Sequence, residues 1–276
     1  MKKSFVLSAS FPSSKISAER FEKSLAKIKP YGFSVVEYYI EGHDADKTAK
    51  MLNGWESVFL SAALQKQAGL NPSSCDAAER ARAVELLSES MRFAVQAGSR
   101  AVLVNSGTRP DDEKRDTECL KYLRESLCEL HRNVGEINIL IEPGDRDVEY
   151  RHLIGHTDIA VDFIQDIRSD IPGIGLVFDT SHIAQLGEKL TASWEIARGS
   201  CSHLHLANCS LVKGTPLYGD KHPPFGIENS VYSHESICEF YQGLEDDLTV
   251  GIEIICAEGD EDAFFAQVAG ETGWFF

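Results

Sequence analysis

The sequence alternates between short apolar segments and longer segments of helical periodicity, and the alternation repeats eight times along 276 residues. Strands that alternate with helices in this way pair in parallel, which predicts an α/β fold. Eight units in this length leave roughly 34 residues for each, which is the size of one strand-helix unit in a (β/α)8 barrel. The predicted strands are Phe5–Ser8, Ser34–Tyr39, Ser57–Leu60, Ala101–Asn105, Ile137–Glu142, Gly175–Asp179, Ser202–Ala207 and Thr249–Ile255.

The segments between these strands carry the pattern of helices with one buried face. The clearest predicted helices are Ala18–Ile28, Ala77–Ala97, Thr117–Val134 and Ala160–Ile167. Within the second of them, Val84, Leu87 and Met91 recur at intervals of three and four residues and therefore line one side of a helix. Gly98 follows directly, at a position where glycine commonly ends a helix.

An open, doubly wound sheet is the alternative to a barrel. Such a sheet usually carries a glycine-rich phosphate loop after its first strand, and this chain has Ser-Ala-Ser-Phe-Pro at Ser8–Pro12. Neither a Walker A motif nor GxGxxG occurs in the expected place, and no low-complexity linker divides the chain. The sequence therefore predicts a single TIM-barrel domain over residues 1–276.

The charge of the chain disfavours two classes of partner. With 27 Lys and Arg against 43 Asp and Glu, the formal net charge is −16. Binding to nucleic acid or to an anionic membrane needs a basic surface, so we expect neither partner. The first residues are too polar for a signal peptide, no apolar stretch of about 18 residues occurs, and the seven cysteines form no CxxC pair. We expect a cytoplasmic protein with reduced thiols.

Acidic and imidazole side chains collect where the later strands end. Strand 5 ends at Glu142, strand 6 ends at Asp179, strand 7 contains His203 and His205, and strand 8 contains Glu253. The active site of a (β/α)8 barrel lies at this end of its strands. Buried charges need a counter-charge, and two Glu, one Asp and one His suit Mn²⁺, Mg²⁺, Co²⁺ or Zn²⁺. The sequence therefore predicts a divalent metal site.

Each of these residues also has a purely structural interpretation. Glu142 can be a charge in the first turn of a helix, and Asp179 begins a good helix N-cap sequence. One of His203 and His205 can be a core histidine, and we favour His203 for that role. Glu253 is the hardest to explain structurally, because the residues on both sides of it are apolar. The joint occurrence at four consecutive strands favours the metal site.

This pattern resembles the xylose isomerase-like TIM barrel superfamily, and in particular its sugar (phosphate) isomerase and epimerase group. The resemblance extends over nearly the whole chain and is most specific between residues 137 and 255. It implies that the metal ligands are Glu142, Asp179, His205 and Glu253, with Mn²⁺ the favoured ion. The superfamily also implies a carbohydrate substrate and a homo-oligomer, a dimer or a tetramer.

Four further residues match positions that bind substrate in the superfamily. His182 matches the histidine of a D-T-x-H motif, which contacts substrate or a second metal ion. The segment 219–226 resembles a GDxHxPxGxG loop without its final glycine and contributes Asp220 and His222. Glu37 matches a glutamate of strand 2 that is either substrate-side or structural.

The superfamily also contains zinc-dependent apurinic endonucleases with three metal ions. His182, Asp220 and His222 resemble the ligands of their third metal. The histidines that these nucleases carry at the ends of strands 3 and 4 are missing here, where the chain has Ser61 and Asn105. Together with the acidic charge, this difference predicts that the protein is not a nuclease.

The resemblance suggests a hypothesis for the reaction. A metal ion would polarise the carbonyl of a ketose or ketose phosphate, while Glu142 and Glu253 remove and return a proton through a metal-stabilised enediolate. The protein would then be a metal-dependent sugar isomerase or epimerase. The first alternative is a dehydratase or lyase that acts on a keto-sugar, an inosose or a dehydroshikimate-like compound at the same site. The second is a non-catalytic binding barrel, which the presence of both glutamates disfavours.

Three features leave the substrate and the oligomer open. Arg109 and Lys213 either hold a phosphate or carboxylate group or are solvated surface charges, and the second interpretation is favoured. The C-terminal residues Trp274, Phe275 and Phe276 are expected to pack against the barrel or to meet another subunit.

Overall fold

Eight parallel strands close into a barrel in the order in which they occur along the chain. The computed structural model describes residues 1–135, 137–244, 247–257 and 259–273. Strand β1 pairs in parallel with both β2 and β8, and this pairing closes the barrel. The prediction of a (β/α)8 TIM barrel is confirmed. The strands are β1 Lys2–Val6, β2 Val35–Tyr38, β3 Glu56–Leu60, β4 Ala101–Asn105, β5 Asn138–Glu142, β6 Ile174–Asp179, β7 Cys201–Leu206 and β8 Thr249–Ile252.

Helices occupy the connections between the strands. The α-helices are α1 Leu7–Ser10, α2 Ala18–Ile28, α3 Ala45–Met51, α4 Ser61–Ala68, α5 Ala77–Gln96, α6 Asp116–Val134, α7 Thr157–Ile167, α8 Thr180–Gln185, α9 Leu190–Ala197, α10 His234–Gln242 and α11 Glu261–Thr272. Short 3-10 helices are present at Pro12–Lys15, Lys29–Tyr31 and Glu113–Arg115. The predicted helix over residues 18–28 has the same bounds in the structure, and the other three differ by one to three residues at one end.

Local sequence explains where the long helix α5 begins and ends. The Asp76 side chain accepts hydrogen bonds from the backbone N–H groups of Ala78 and Glu79, which satisfies donors that the first turn leaves free. Leu87 and Met91 are fully buried, as the periodicity predicts. Gly98 follows with φ of +82°, a left-handed conformation in which a side chain would be strained.

The first and last strands end earlier than predicted, and β1 also begins three residues earlier, at Lys2. The apolar residues after Val6 form α1 instead of continuing β1. The chain leaves β8 at Glu253, whose N–H donates to the carbonyl of Leu206 at 3.1 Å. Beyond it, the N–H of Ile255 donates to the carbonyl of His222 at 2.9 Å. After Ile252 the backbone therefore bonds to the loops at the mouth of the barrel instead of continuing the sheet, and Ile254 is buried there.

In the described part of the chain, no helix combines the length and apolar character that crossing a membrane requires. The predicted packing of Trp274, Phe275 and Phe276 concerns residues outside those that the structure describes.

The strand register brings the polar residues to one level of the barrel. Asn105 lies opposite Glu142, and Asp179 lies opposite His205. His205 in turn lies opposite Gly251 of β8. Successive side chains on a strand point to opposite faces of the sheet, so every second residue of each strand points into the barrel. Residues that lie at the same level and point inward therefore meet at the barrel axis.

Candidate metal centre

The four residues predicted as metal ligands converge at the carboxyl ends of strands β5 to β8. One donor atom from each of Glu142, Asp179, His205 and Glu253 lies within 4.8 Å of the donor atoms of the other three. The His205 Nδ1 atom is 2.9 Å from Glu142 Oε1, 2.9 Å from Glu253 Oε2 and 3.7 Å from Asp179 Oδ2. The structure thus brings all four residues together.

Glu37 lies on the other side of the His205 ring and is fully buried. Its Oε2 atom is 2.9 Å from His205 Nε2, while its Oε1 atom is 2.8 Å from His203 Nε2 and accepts a hydrogen bond from Ser4 Oγ at 2.7 Å. Burial would raise the pKa of Glu37, but the two imidazoles outweigh burial and lower it far below its usual range. The burial of Glu37 between two imidazoles favours a structural role for this residue over contact with substrate. It also gives His203 a buried partner.

The donor chemistry of the four residues fits a divalent cation. When His205 donates its Nε2–H to Glu37, a neutral imidazole presents its Nδ1 lone pair to the three carboxylates. Even a protonated Nδ1 has one hydrogen to share among oxygens of Glu142, Glu253 and Asp179. The Asp179 Oδ2 atom is buried and has no hydrogen-bond partner among the described residues. A metal-ligating imidazole usually donates the N–H of its other ring nitrogen to a carboxylate, as His205 can do here.

Asp179 also caps a helix, so both of its predicted roles fit one side chain. Its Oδ1 atom accepts hydrogen bonds from the N–H groups of Ser181 at 2.7 Å and His182 at 3.1 Å. These bonds hold the carboxylate at the start of α8 and leave Oδ2 for the centre. The helix cap therefore orients the proposed ligand.

Gly251 makes room for the pair formed by Glu37 and His205. A Cβ atom on Gly251 would lie 2.6 Å from Glu37 Oε1 and 3.1 Å from His205 Cδ2. Contacts this short would displace one of the two side chains. The absence of a side chain at this position of β8 therefore lets the carboxylate and the imidazole approach each other.

His182, Asp220 and His222 form a second polar cluster beside the first. All three are buried. The Asp220 Oδ1 atom is 2.7 Å from His222 Nε2 and 3.9 Å from His182 Nε2. His222 Nδ1 is 3.6 Å from Glu253 Oε1, so the two clusters are continuous. His182 and His222 also lie close enough to Asp179 for these three residues to hold an ion together.

The loop that carries Asp220 and His222 is held by Glu149. The Asp220 N–H donates to Glu149 Oε2 at 2.8 Å, and the Lys221 ammonium donates to Glu149 Oε1 at 2.9 Å. Gly219 has φ of +104°, and a Cβ there would lie 2.2 Å from the Glu149 carboxylate. The loop brings both residues to the barrel mouth although the final glycine of the motif is missing.

No sequence pattern pointed to Lys66, which lies on α4 and reaches the second cluster. Its Nζ atom is 2.7 Å from Asp220 Oδ2 and 4.1 Å from the centre of the Tyr150 ring. Burial would lower the pKa of Lys66, but Asp220 and other acidic neighbours outweigh it and raise the pKa. Lys66 and Asp220 are 154 residues apart, so no local spacing could have shown this pair.

The structure corrects the interpretation of Arg109. The sequence favoured a solvated surface charge, but the Arg109 side chain is only 7% exposed. Its guanidinium pairs with Glu113 and lies 3.2 Å from Asp147 Oδ1. Lys213, the second residue considered as an anion ligand, is exposed.

Comparisons with solved structures show barrels of the same shape. The structure of D-psicose 3-epimerase with D-tagatose from Clostridium cellulolyticum H10 has a TM-score of 0.71 at 15% identity, covering 100% of this chain and 98% of that one. The IolI protein with a bound zinc atom gives 0.74 at 14% identity, with the same coverage. An AP endonuclease, family 2, from Brucella melitensis gives 0.70 at 18% identity, covering 98% and 99%. At these identities the likeness establishes the fold.

No curated protein matches the sequence. The profile of the xylose isomerase-like TIM barrel family matches residues 14–259, most of the chain. This protein belongs to the xylose isomerase-like TIM barrel family.

Proposed function

We propose that this protein is a divalent-metal-dependent isomerase or epimerase that acts on a ketose or a closely related sugar. The observation that carries the proposal is a difference in access among the buried carboxylates. The side chains of Glu142 and Glu253 are 11% and 18% exposed, while those of Asp179 and Glu37 are fully buried. Glu142 and Glu253 are thus the two carboxylates of the centre that a substrate can touch.

The chemistry follows from this arrangement. A divalent cation held by Glu142, Asp179, His205 and Glu253 would act as a Lewis acid on the substrate carbonyl. One of the two accessible glutamates removes the proton on the carbon next to the carbonyl, and the other returns a proton. Return to the opposite face of the same carbon gives an epimer, and return to the neighbouring carbon gives an aldose or ketose isomer.

The second cluster supplies groups for orienting the substrate. His182 and His222 border the centre. Asp220 Oδ1 lies 2.7 Å from His222 Nε2, and Gln185 Oε1 lies 3.1 Å from His182 Nδ1. We assign His182, His222 and Asp220 to hydrogen bonds with sugar hydroxyls. The proposal is supported by the similar structures of D-psicose 3-epimerase and of the zinc-containing IolI protein. We propose Mn²⁺ as the working ion, because the donor set is dominated by carboxylate oxygens.

Hydrogen exchange in D₂O tests the proposal directly. Wild-type protein with Mn²⁺ should catalyse incorporation of deuterium next to the carbonyl of at least one ketose or ketose phosphate, read by NMR. The variants Glu142→Gln and Glu253→Gln should lose this exchange. Glu125→Gln is the matched control, because Glu125 lies exposed on α6.

Three outcomes separate the alternatives. Exchange at the wild-type rate in either glutamine variant would contradict the assigned roles. Loss of water from the substrate, with formation of an alkene or enol, would favour the dehydratase. Metal binding without exchange or product on ketoses, ketose phosphates and inososes would favour a binding barrel.

A further inference from the structure

Two cysteines that are distant in the sequence meet where the loop before α5 packs against α6. Cys75 lies in the segment between α4 and α5, and Cys119 lies near the start of α6. Their Sγ atoms are 3.3 Å apart. The sulfur atoms of a disulfide are about 2.05 Å apart, so the pair needs to close by only about 1.3 Å to form that bond.

Contacts beside the pair hold the loop and the start of α5 against α6. The Ser126 Oγ–H donates to the carbonyl of Pro72 at 2.7 Å, and the Arg80 guanidinium lies 3.9 Å from the centre of the Tyr122 ring. Cys119, Tyr122 and Ser126 follow one another at intervals of three and four residues and therefore lie on one face of α6. The packing of the loop on this face keeps the two sulfur atoms opposite each other.

The two cysteines differ in their access to solvent. Cys75 is partly exposed, while Cys119 is only 2% exposed. Burial and the hydrogen bond with Cys75 raise the pKa of the Cys119 thiol to about 12. The sulfur atoms of Cys201 and Cys209 instead donate to backbone carbonyls. An oxidant dissolved in water therefore meets Cys75 first, and Cys119 is placed to react with the oxidised sulfur.

We propose that Cys75 and Cys119 are a thiol pair that a hydroperoxide oxidises to a disulfide. The Cys75 sulfur attacks one peroxide oxygen, the O–O bond breaks, and Cys75 becomes a sulfenic acid while the other oxygen leaves as water or an alcohol. The Cys119 sulfur then attacks the Cys75 sulfur, the S–O bond breaks, and the hydroxyl leaves as water with the Cys119 proton. The two sulfurs together lose two electrons, which reduce the peroxide.

The disulfide would restrain one border of a cavity at the barrel mouth. The segment before Cys75 contributes Asn71 to the lining of this cavity of about 370 Å³, and Asn71 Nδ2 donates to the carbonyl of Thr108 at 3.1 Å. The bond would join positions that are 44 residues apart. Because a crosslink of this span limits the freedom of the unfolded chain, the oxidised protein should be more stable than the reduced protein.

Peptide mapping after peroxide treatment tests the proposal on the full chain. Reduced protein is treated with hydrogen peroxide, alkylated and digested without a reductant. In the wild type, the peptides that contain Cys75 and Cys119 should be linked, with a mass about 2 Da below the sum of the two reduced peptides. In Cys119→Ser the sulfenic acid has no thiol to react with, so Cys75 should proceed to the sulfinic acid and gain about 32 Da.

Two further variants and a melting curve complete the experiment. Cys75→Ser should form no crosslink at Cys119. Cys238→Ser is the matched control, because Cys238 is a partly exposed cysteine on α10, and it should form the disulfide as the wild type does. Oxidation should raise the melting temperature of the wild type and of Cys238→Ser by about 5 °C, and dithiothreitol should reverse the rise. Neither Cys75→Ser nor Cys119→Ser should show it.

The proposal is overturned if wild-type Cys75 stays reduced, accumulates as sulfinic acid or pairs with a different cysteine. A melting temperature that does not change in the crosslinked protein would refute the restraint on the loop. The thiol pair lies apart from the candidate metal centre, and its oxidation is measured without any sugar substrate. The outcome is therefore independent of the proposed function.

Discussion

Replacement of Glu37 by Gln tests whether the buried carboxylate beneath His205 prepares the imidazole for metal binding. In the wild type, Oε1 of Glu37 accepts a hydrogen bond from Ser4 Oγ at 2.7 Å and lies 2.8 Å from His203 Nε2, while Oε2 is hydrogen-bonded to His205 Nε2 at 2.9 Å. A glutamine offers one acceptor and one N–H donor group. If the amide nitrogen faces His205, then Nε2 must accept, and the proton moves to Nδ1, the atom that would bind the metal.

The expected effect is a weaker metal site in a folded protein. Loss of a carboxylate that supports a ligating histidine reduces metal affinity about 10- to 100-fold, or about 1.4 to 2.8 kcal/mol. If the amide turns the other way, its oxygen still accepts from His205, but the negative charge is lost. The loss of affinity should then lie near the lower limit. The buried amide must also find partners in His203 and Ser4, so the melting temperature should fall.

Titration of the metal-free protein with Mn²⁺ measures the effect. The Kd should rise in Glu37→Gln and remain unchanged in Glu125→Gln, in which an equivalent charge is removed from a side chain that is 55% exposed. Circular dichroism verifies that both variants are folded. An Mn²⁺ affinity within a factor of about two of the wild type in folded Glu37→Gln would refute the role of Glu37.

Three further predictions concern pH and packing. Burial lowers the pKa of His205, but its carboxylate neighbours outweigh burial and raise the pKa well above its usual range. An incoming metal ion must therefore displace a proton from this imidazole, and the Kd for Mn²⁺ should rise about tenfold for each pH unit by which the pH falls. A Kd independent of pH would contradict this. Burial is the main cause that lowers the pKa of His152 from 6.5 to about 3, so the unfolded chain takes up a proton in this interval before the folded chain does. The contribution of neutral His152 to the free energy of unfolding is fully present above pH 6.5. It is lost as pH falls from 6.5 toward 3, by about 1.4 kcal/mol per pH unit. Denaturant titrations should show a flatter acid limb for His152→Gln, and parallel curves would count against the explanation. Gly251→Ala places a Cβ 2.6 Å from Glu37 Oε1 and should cost about 1 to 3 kcal/mol of unfolding free energy and weaken Mn²⁺ binding. Gly199→Ala, whose Cβ meets no atom of the described residues within 4 Å, should do neither.

The fold could be predicted because its signals are local. Each strand has an apolar run, and each long helix has a repeat of three and four residues that is independent of distant contacts. The largest errors occurred at both ends of β1 and at the carboxyl end of β8. Lys2–Ser4 are polar and gave no strand signal, while Leu7 and Ile254 are apolar but buried outside the sheet. Apolar composition predicts burial, but the hydrogen-bond partners of the backbone decide whether a buried residue belongs to a strand.

The four residues of the centre could also be predicted to lie together. Parallel strands that close in chain order place all their carboxyl ends at one mouth, so polar residues at Glu142, Asp179, His205 and Glu253 must approach one another. The sequence could not show that Asp179 divides its two oxygens between a helix cap and the centre. That division depends on the side-chain rotamer, which the surrounding atoms set.

The sequence by itself determined the barrel, the mouth at which the candidate metal ligands lie and the residue types that meet there, because strand polarity and side-chain alternation follow from the order of residues. Only the tertiary structure decided that Glu37 supports His205, that Lys66 reaches Asp220 and that Arg109 is already paired. Glu37 and His205 are 168 residues apart, and Lys66 and Asp220 are 154 apart. Contacts at such separations depend on barrel closure, loop paths and side-chain rotamers together, and no local sequence pattern encodes that combination.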